Sequence, residues 1–219
     1  MPKTSPSKPR FDRADRRAGT AAAGQGDEAG GRYDQPERNR TVDLVIVGLR
    51  TPTAFDTNRG ACSYDDTVAI VRKVHGAVDS ATFNCNTEPS SQYINHKDPG
   101  KRPPDANRDS RPDLGALMTG QTIRYIKGTF LRAEALKIDQ SRSYRVGRDT
   151  DHDGKLTARD PSSMVPAARG MHIHIGEAAN TWSMGCWTLL PPEHARFFGT
   201  LGKWAPQQHS FLYVPVDAN

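Results

Sequence analysis

Val42-Asp43-Leu44-Val45-Ile46-Val47-Gly48-Leu49 is an aliphatic, β-branched run closed by Gly48 and Pro52, and it predicts a strand. Outward from it, Thr67 to Val74 has the same character, with His75-Gly76 as the turn that follows. Ala81 to Asn86 alternates and predicts a third strand. Gly120 to Gly128 reads as a short strand between glycines, and Tyr144-Arg145-Val146-Gly147 leads to another. Met171 to Gly176 is strand-like by its period of two. One helix is expected over Pro192 to Leu201, started by Pro191-Pro192, with Glu193 in its first turn and Gly202 at its end. Phe197, Phe198 and Leu201 would face the core. Phe211 to Val216 predicts a last strand, placed at a sheet edge because Pro215 cannot donate to a ladder. The fold class expected is α+β and strand-dominated.

Composition agrees with this pattern. The chain has 219 residues, of which 35% are hydrophobic, and its mean hydropathy is −0.71. Sixteen Pro and nineteen Gly favour loops over a Leu- and Ala-rich bundle. The longest apolar run is Val42 to Leu49, too short to span a membrane. Residues 1–40 lack Val, Ile and Leu and hold nine Lys/Arg against six Asp/Glu, so they carry +3 of the formal +5. They read as a disordered tail or linker, because they cannot bury enough apolar surface to offset ordering entropy. Residues 41–219 are then one domain with little net charge, which argues against a nucleic-acid groove. Within it, 95–113 holds four Pro and no large apolar residue, and it reads as a long polar loop placed to overhang a site. Its basic side chains alternate with Asp98, Asp105, Asp109 and Asp113, the pattern of a solvated loop.

No secretory signal is evident at Met1 to Lys8, where no apolar segment follows the charged start. Cys62, Cys85 and Cys186 are odd in number and form no Cys-x-x-Cys, so at least one free thiol is expected. His96, His152, His194 and His209 have no metal-like spacing with one another.

The densest chemistry lies in Met171-His172-Ile173-His174-Ile175-Gly176 and Ser183-Met184-Gly185-Cys186-Trp187. A nucleophilic Cys needs a base and backbone donors for an oxyanion. A strand would present His172 and His174 on one face, and Gly185 would let the backbone approach closely. The competing reading makes Cys186 a small buried hydrophobe.

At these residues the chain resembles the L,D-transpeptidase catalytic domain, which carries a His closely followed by Gly and then Ser-x-Gly-Cys. Tyr64-Asp65-Asp66-Thr67 and Asn84 to Ser90 resemble segments of a phage- and effector-associated branch of that family. The resemblance spans roughly 42–215, and only the Cys motif is specific. It implies a mixed β-sheet or sandwich with few short helices. It also implies Cys186 as nucleophile, His174 as base, Ser183 shaping the turn and Gly185 giving oxyanion geometry. His172 matches no required position of that family, and it would either orient substrate or cap the strand face. Two departures stand out. Met184 occupies the place of a common His, and Trp187-Thr188 stands where many members have Arg. Trp182 and Trp187 would then form an aromatic wall beside Met184.

The activity implied is a cysteine-dependent L,D-transpeptidase or L,D-carboxypeptidase acting on peptidoglycan stem peptides through a thioester, with no catalytic cofactor. With no signal evident, the expected setting is synthesis in the cytoplasm and action in the periplasm or cell wall. Delivery into a target cell as an antibacterial effector would add a secretion carrier and an immunity protein. The alternative is a non-catalytic, calcium-stabilised wall-binding or virion module.

A second motif motivates the calcium. Asp149, Asp151, Asp153, Thr157 and Asp160 stand at positions 1, 3, 5, 9 and 12 of an EF-hand-like spacing. Gly154 is at position 6, and Lys155 would give its carbonyl at position 7. An acidic β-turn with an Asp-Gly tip fits the same residues. Either way the role would be structural.

Overall fold

The structure, a computed structural model, describes residues 43–52, 64–157, 159–178 and 181–218. The expected tail, 1–40, and Cys62 lie outside them. In chain order the strands are β1 (Asp43–Arg50), β2 (Asp66–Val74), β3 (Ala77–Cys85), β4 (Gly115–Leu117), β5 (Ile123–Phe130) and β6 (Ala133–Ile138). They continue with β7 (Ser143–Arg148), β8 (Ser162–Pro166), β9 (Ile173–Ile175) and β10 (Trp187–Leu189). The helix α1 (Pro191–Trp204) follows, and then β11 (Ser210–Asp217). The fold is therefore strand-dominated α+β with a mixed sheet.

Eight strands form one sheet in the order β10-β9-β6-β5-β11-β1-β2-β3, and β4-β7-β8 form a second. The β1–β11 and β9–β10 pairs are parallel. The two ends of the large sheet also meet. Asn86 N–H donates to Thr188 O at 2.9 Å, and Thr188 N–H to Asn86 O at 2.8 Å. The aliphatic alternation of β1 and β2 places Ile46, Val68 and Ile70 in the core beside Phe83 of β3. Trp187 and Tyr213 pack edge to face with centroids 4.9 Å apart. Gly48 makes room for them, since a Cβ there would overlap both rings. α1 buries Phe197, Phe198 and Leu201, the face expected from its spacing.

The expected edge position of the last strand is wrong. β11 lies between β1 and β5 in the sheet. Pro215 is tolerated there because pairing with β5 stops at Tyr213, so the missing N–H falls beyond that ladder.

Candidate functional site

Register builds the site. β9 and β10 run parallel with Trp187 beside Ile173 and Thr188 beside His174. Cys186 is therefore level with His172, and alternate residues place Cys186, Thr188, His172 and His174 on one face. The ring of Phe130 packs against both imidazoles, with centroids 5.3 Å from His172 and 4.8 Å from His174.

The turn before β10 is fixed by its own polar groups. Ser183 Oγ donates to Cys186 O at 2.8 Å and accepts from Gly185 N–H at 3.1 Å. Gly185 has φ 115°, and a Cβ there would come within 2.5 Å of Gly115 O. A second segment braces the turn from outside, where Ser90 N–H donates to Ser183 O at 2.8 Å. That segment, Asn86 to Ser90, is almost wholly buried. Beneath it Asp66 Oδ2 accepts from Thr87 N–H at 2.8 Å, and burial, followed by the Asp66 charge, pushes the Glu88 carboxyl well up.

Cys186 is nearly buried on the wall of a cleft of about 740 Å³. Its Sγ accepts from His172 N–H at 3.4 Å and donates to Gly170 O at 3.7 Å. Burial pushes the thiol up to about 11, against backbone donors at His172 and Met184 that favour the thiolate. The resting group is a thiol.

The two imidazoles differ in their bonds. His174 Nδ1 lies 2.6 Å from Ile175 O, a pairing that puts the ring proton on Nδ1. Its buried Nε2 has no hydrogen-bond partner among the described residues. His172 Nδ1 instead accepts from Ile138 N–H at 3.2 Å, which assigns the proton of the neutral ring to Nε2. Burial holds both rings down to about 4, helped at His172 by His174 and Lys137 and at His174 by His194. Both are neutral at pH 7. His174 thus offers a free lone pair, and His172 offers an N–H.

The cleft gathers residues remote in sequence. His172, Met184, Trp182 and Cys186 line it, and so do Lys101, Arg102, Pro103 and Pro104 of the 95–113 loop. Arg148 and Arg169 add positive charge. Burial, then Arg169, lowers the Arg148 guanidinium to about 10, so it remains charged at pH 7. The motif lacks an Arg after the Cys, yet three arginines reach this cleft from other segments. Sequence reasoning missed them, because Arg148 and Arg169 arrive through strand pairing and through a positive-φ turn over residues 167–170 with no local signature.

One expected wall residue is misplaced. Trp187 is fully buried against Tyr213 and takes no part in the cleft, because β10 turns it to the core face. Trp182, about half exposed, stands there without it. The Gly185 amide donates to Ser183 Oγ within the turn.

The second motif forms a tight loop between β7 and β8. Ligand atoms of Asp149, Asp151 and Asp153 lie within 4.8 Å of one another. Asp149 Oδ2 accepts from Gly154 N–H at 3.1 Å, while its buried Oδ1 has no hydrogen-bond partner among the described residues. Burial, with Asp160 and Asp153 nearby, raises the Asp149 carboxyl to about 6, a cost that a divalent cation would relieve. Asp160 is turned inward, taking N–H groups from Thr150 and Thr157, and Thr157 Oγ1 donates to it at 3.1 Å.

No protein-family model matches the chain, and neither a curated protein nor a solved structure matches it. Among the described residues no helix is long and apolar enough to cross a membrane.

Proposed function

We propose that the chain is a cysteine acyltransferase of L,D-transpeptidase type, acting on peptidoglycan stem peptides in the cleft beside Cys186. The observation that carries this reading is the buried His174 imidazole. Its Nδ1 is paired to Ile175 O, and its unpartnered Nε2 shares a strand face with Cys186. A buried lone pair left unpaired is costly and calls for a functional reason.

In this reading the thiol proton passes to His174 Nε2 as Sγ attacks the substrate carbonyl carbon. The C–N bond breaks, and the leaving amine takes the proton from His174. An acceptor amine or water then attacks the thioester carbon, the C–S bond breaks, and His174 passes the proton of that nucleophile back to the departing Sγ. Concerted transfer suits a thiol near 11 and an imidazole near 4 on the same strand face, because a preformed ion pair is unfavourable. The His172 N–H, with Arg102, Arg148 and Arg169, supplies the positive side of a site for a carboxylate-rich peptide.

The alternative is a wall-binding module without turnover, favoured by the raised thiol and by the bond from Sγ to Gly170 O. Mass analysis of muropeptides after incubation with sacculi or a disaccharide tetrapeptide separates the two. Loss of a D-residue, a new dimer or an exchange product, absent with Cys186→Ala, establishes the enzyme. An unchanged profile with intact binding establishes the module.

Calcium belongs to the same proposal as a structural ion on Asp149, Asp151, Asp153 and the Lys155 carbonyl. Delivery as an antibacterial effector, with a carrier and an immunity protein, extends it. Expression with an export signal should then harm cells, and equal harm from cytoplasmic expression would remove the wall as target.

A further inference from the structure

Residues 105–113 read Asp-Ala-Asn-Arg-Asp-Ser-Arg-Pro-Asp. Oxygen-bearing side chains fall at the first, third, fifth and ninth positions, as they do from Asp149 to Thr157. The two loops also fold alike. The first carboxylate accepts the sixth N–H in each, Ser110 to Asp105 at 2.9 Å and Gly154 to Asp149 at 3.1 Å. The third side chain accepts the fifth N–H, Asp109 to Asn107 and Asp153 to Asp151. The fifth accepts the seventh, Arg111 to Asp109 and Lys155 to Asp153. Positive φ recurs at the fourth and sixth residues, 64° and 74° at Arg108 and Ser110 and 59° and 82° at His152 and Gly154.

The loops lie side by side because their strands do. β4 begins just after Asp113, β7 ends just before Asp149, and the pair is antiparallel with Gly115 opposite Arg148. Asn107 Nδ2 donates to Thr150 O at 3.0 Å, and His152 Nε2 lies 3.1 Å from Asp109 Oδ2.

The residue that asks for a ligand is Asp113. Its side chain is fully buried, with Oδ2 accepting from Ala106 N–H, while Oδ1 makes no hydrogen bond among the described residues and faces His152 Nε2 at 3.6 Å. Ligand atoms of Asp109, Asp113 and His152 lie within 4.8 Å of one another. A carboxylate oxygen withdrawn from water without a hydrogen bond is costly, and a cation at this point removes the cost.

We propose that loop 105–113 is a second calcium site, held by Asp105, Asn107, Asp109, the Arg111 carbonyl and Asp113. Oxygen donors dominate this set and suit a hard cation. The imidazole of His152 bonds Asp109 and closes the site from the neighbouring loop. The site is tied to the cleft. Asp113 N–H donates to Pro104 O at 2.9 Å, and Asp113 O accepts from Arg148 Nη1 at 3.4 Å. Pro104 and Arg148 both line the cleft. Calcium at Asp113 therefore fixes one wall of it, whatever reaction occurs there.

The test counts ions by native mass spectrometry and by calorimetry on the full chain after chelation, using CaCl₂ as the probe. Wild type is compared with Asp109→Asn, an exposed position, and with Asp151→Asn in the neighbouring loop. The expected result is one Ca²⁺ fewer per chain in Asp109→Asn than in wild type, with an unchanged near-ultraviolet circular dichroism spectrum. Equal ion counts and heats in these two proteins overturn the second site, as does a wild type that takes up Zn²⁺ but not Ca²⁺. A wild-type count of one that Asp109→Asn abolishes and Asp151→Asn leaves intact supports it, and removes calcium from loop 149–160 instead.

Discussion

The Cys186 turn and the acidic loops 105–113 and 149–160 both concentrate polar groups, and they treat charge in opposite ways. At the turn, burial neutralises everything that titrates, with the thiol near 11 and both imidazoles near 4. In the loops, the carboxylates Asp105, Asp109, Asp151 and Asp153 stay near water and are held by backbone N–H groups. The comparison teaches that a dry, uncharged site suits proton transfer during a reaction, whereas a ring of fixed anions suits an ion already charged. Arg148 joins the two regions, with its guanidinium in the cleft wall and a bond to Asp113 O.

The strongest test of the neutral site is Cys186→Ala, expected to cut turnover by about 10⁴-fold or more while leaving the fold intact, read by product formation on stem peptides. His174→Gln comes next, with a fall in kcat of about 10²- to 10⁴-fold. His172→Gln should act mainly on KM, because His172 is assigned as a donor. Equal kcat losses at the two positions would erase the distinction drawn from their tautomers.

Acid should break the same region before the loops. A histidine held at about 4 in the folded chain, against about 6.5 when unfolded, binds its proton more readily in the unfolded state. The associated stability is whole above about pH 6.5 and is lost as pH falls toward about 4. Urea midpoints across that range should drop with acid, and substituting both His172 and His174 should flatten the slope. A smaller structural effect is expected from Gly185→Ala. Contact with Gly115 O and Met171 should cost about 1–3 kcal/mol by denaturation. The smallest is Arg169→Ala at the exposed rim of the cleft, raising KM by up to about fivefold in low salt and less in high salt.

Much of the large sheet was legible. The aliphatic runs in β1, β2 and β11 and the Pro-started helix announce themselves, because each buries a continuous apolar face. β6 does not, since Ala133-Glu-Ala-Leu-Lys-Ile is built from helix formers and is drawn into the sheet by pairing with β5. β8 is mostly exposed and carries no apolar alternation. At the site, the motif residues Ser183, Met184, Gly185 and Cys186 were readable locally. The arginines were not, and neither was the partnership of His152 with Asp113. The repeated acidic spacing in 105–113 was present in the sequence, where the interleaved Lys and Arg made it look like an ordinary solvated loop.

The position of β11 has a consequence for the order in which the molecule can assemble. It follows every other strand in the chain, yet it lies between β1 and β5. Until it has been synthesised, β1-β2-β3 and β10-β9-β6-β5 lack the strand that joins them through β1 and β5, whose facing edges stay unpaired while the far ends meet at Asn86 and Thr188. The β1–β11 ladder, Val45 against Leu212 through Arg50 against Asp217, also carries some of the largest sequence separations in the fold. Contacts this distant form late and slowly. A chain leaving the ribosome would spend that interval as a sheet missing its middle, the kind of intermediate that holding chaperones shield.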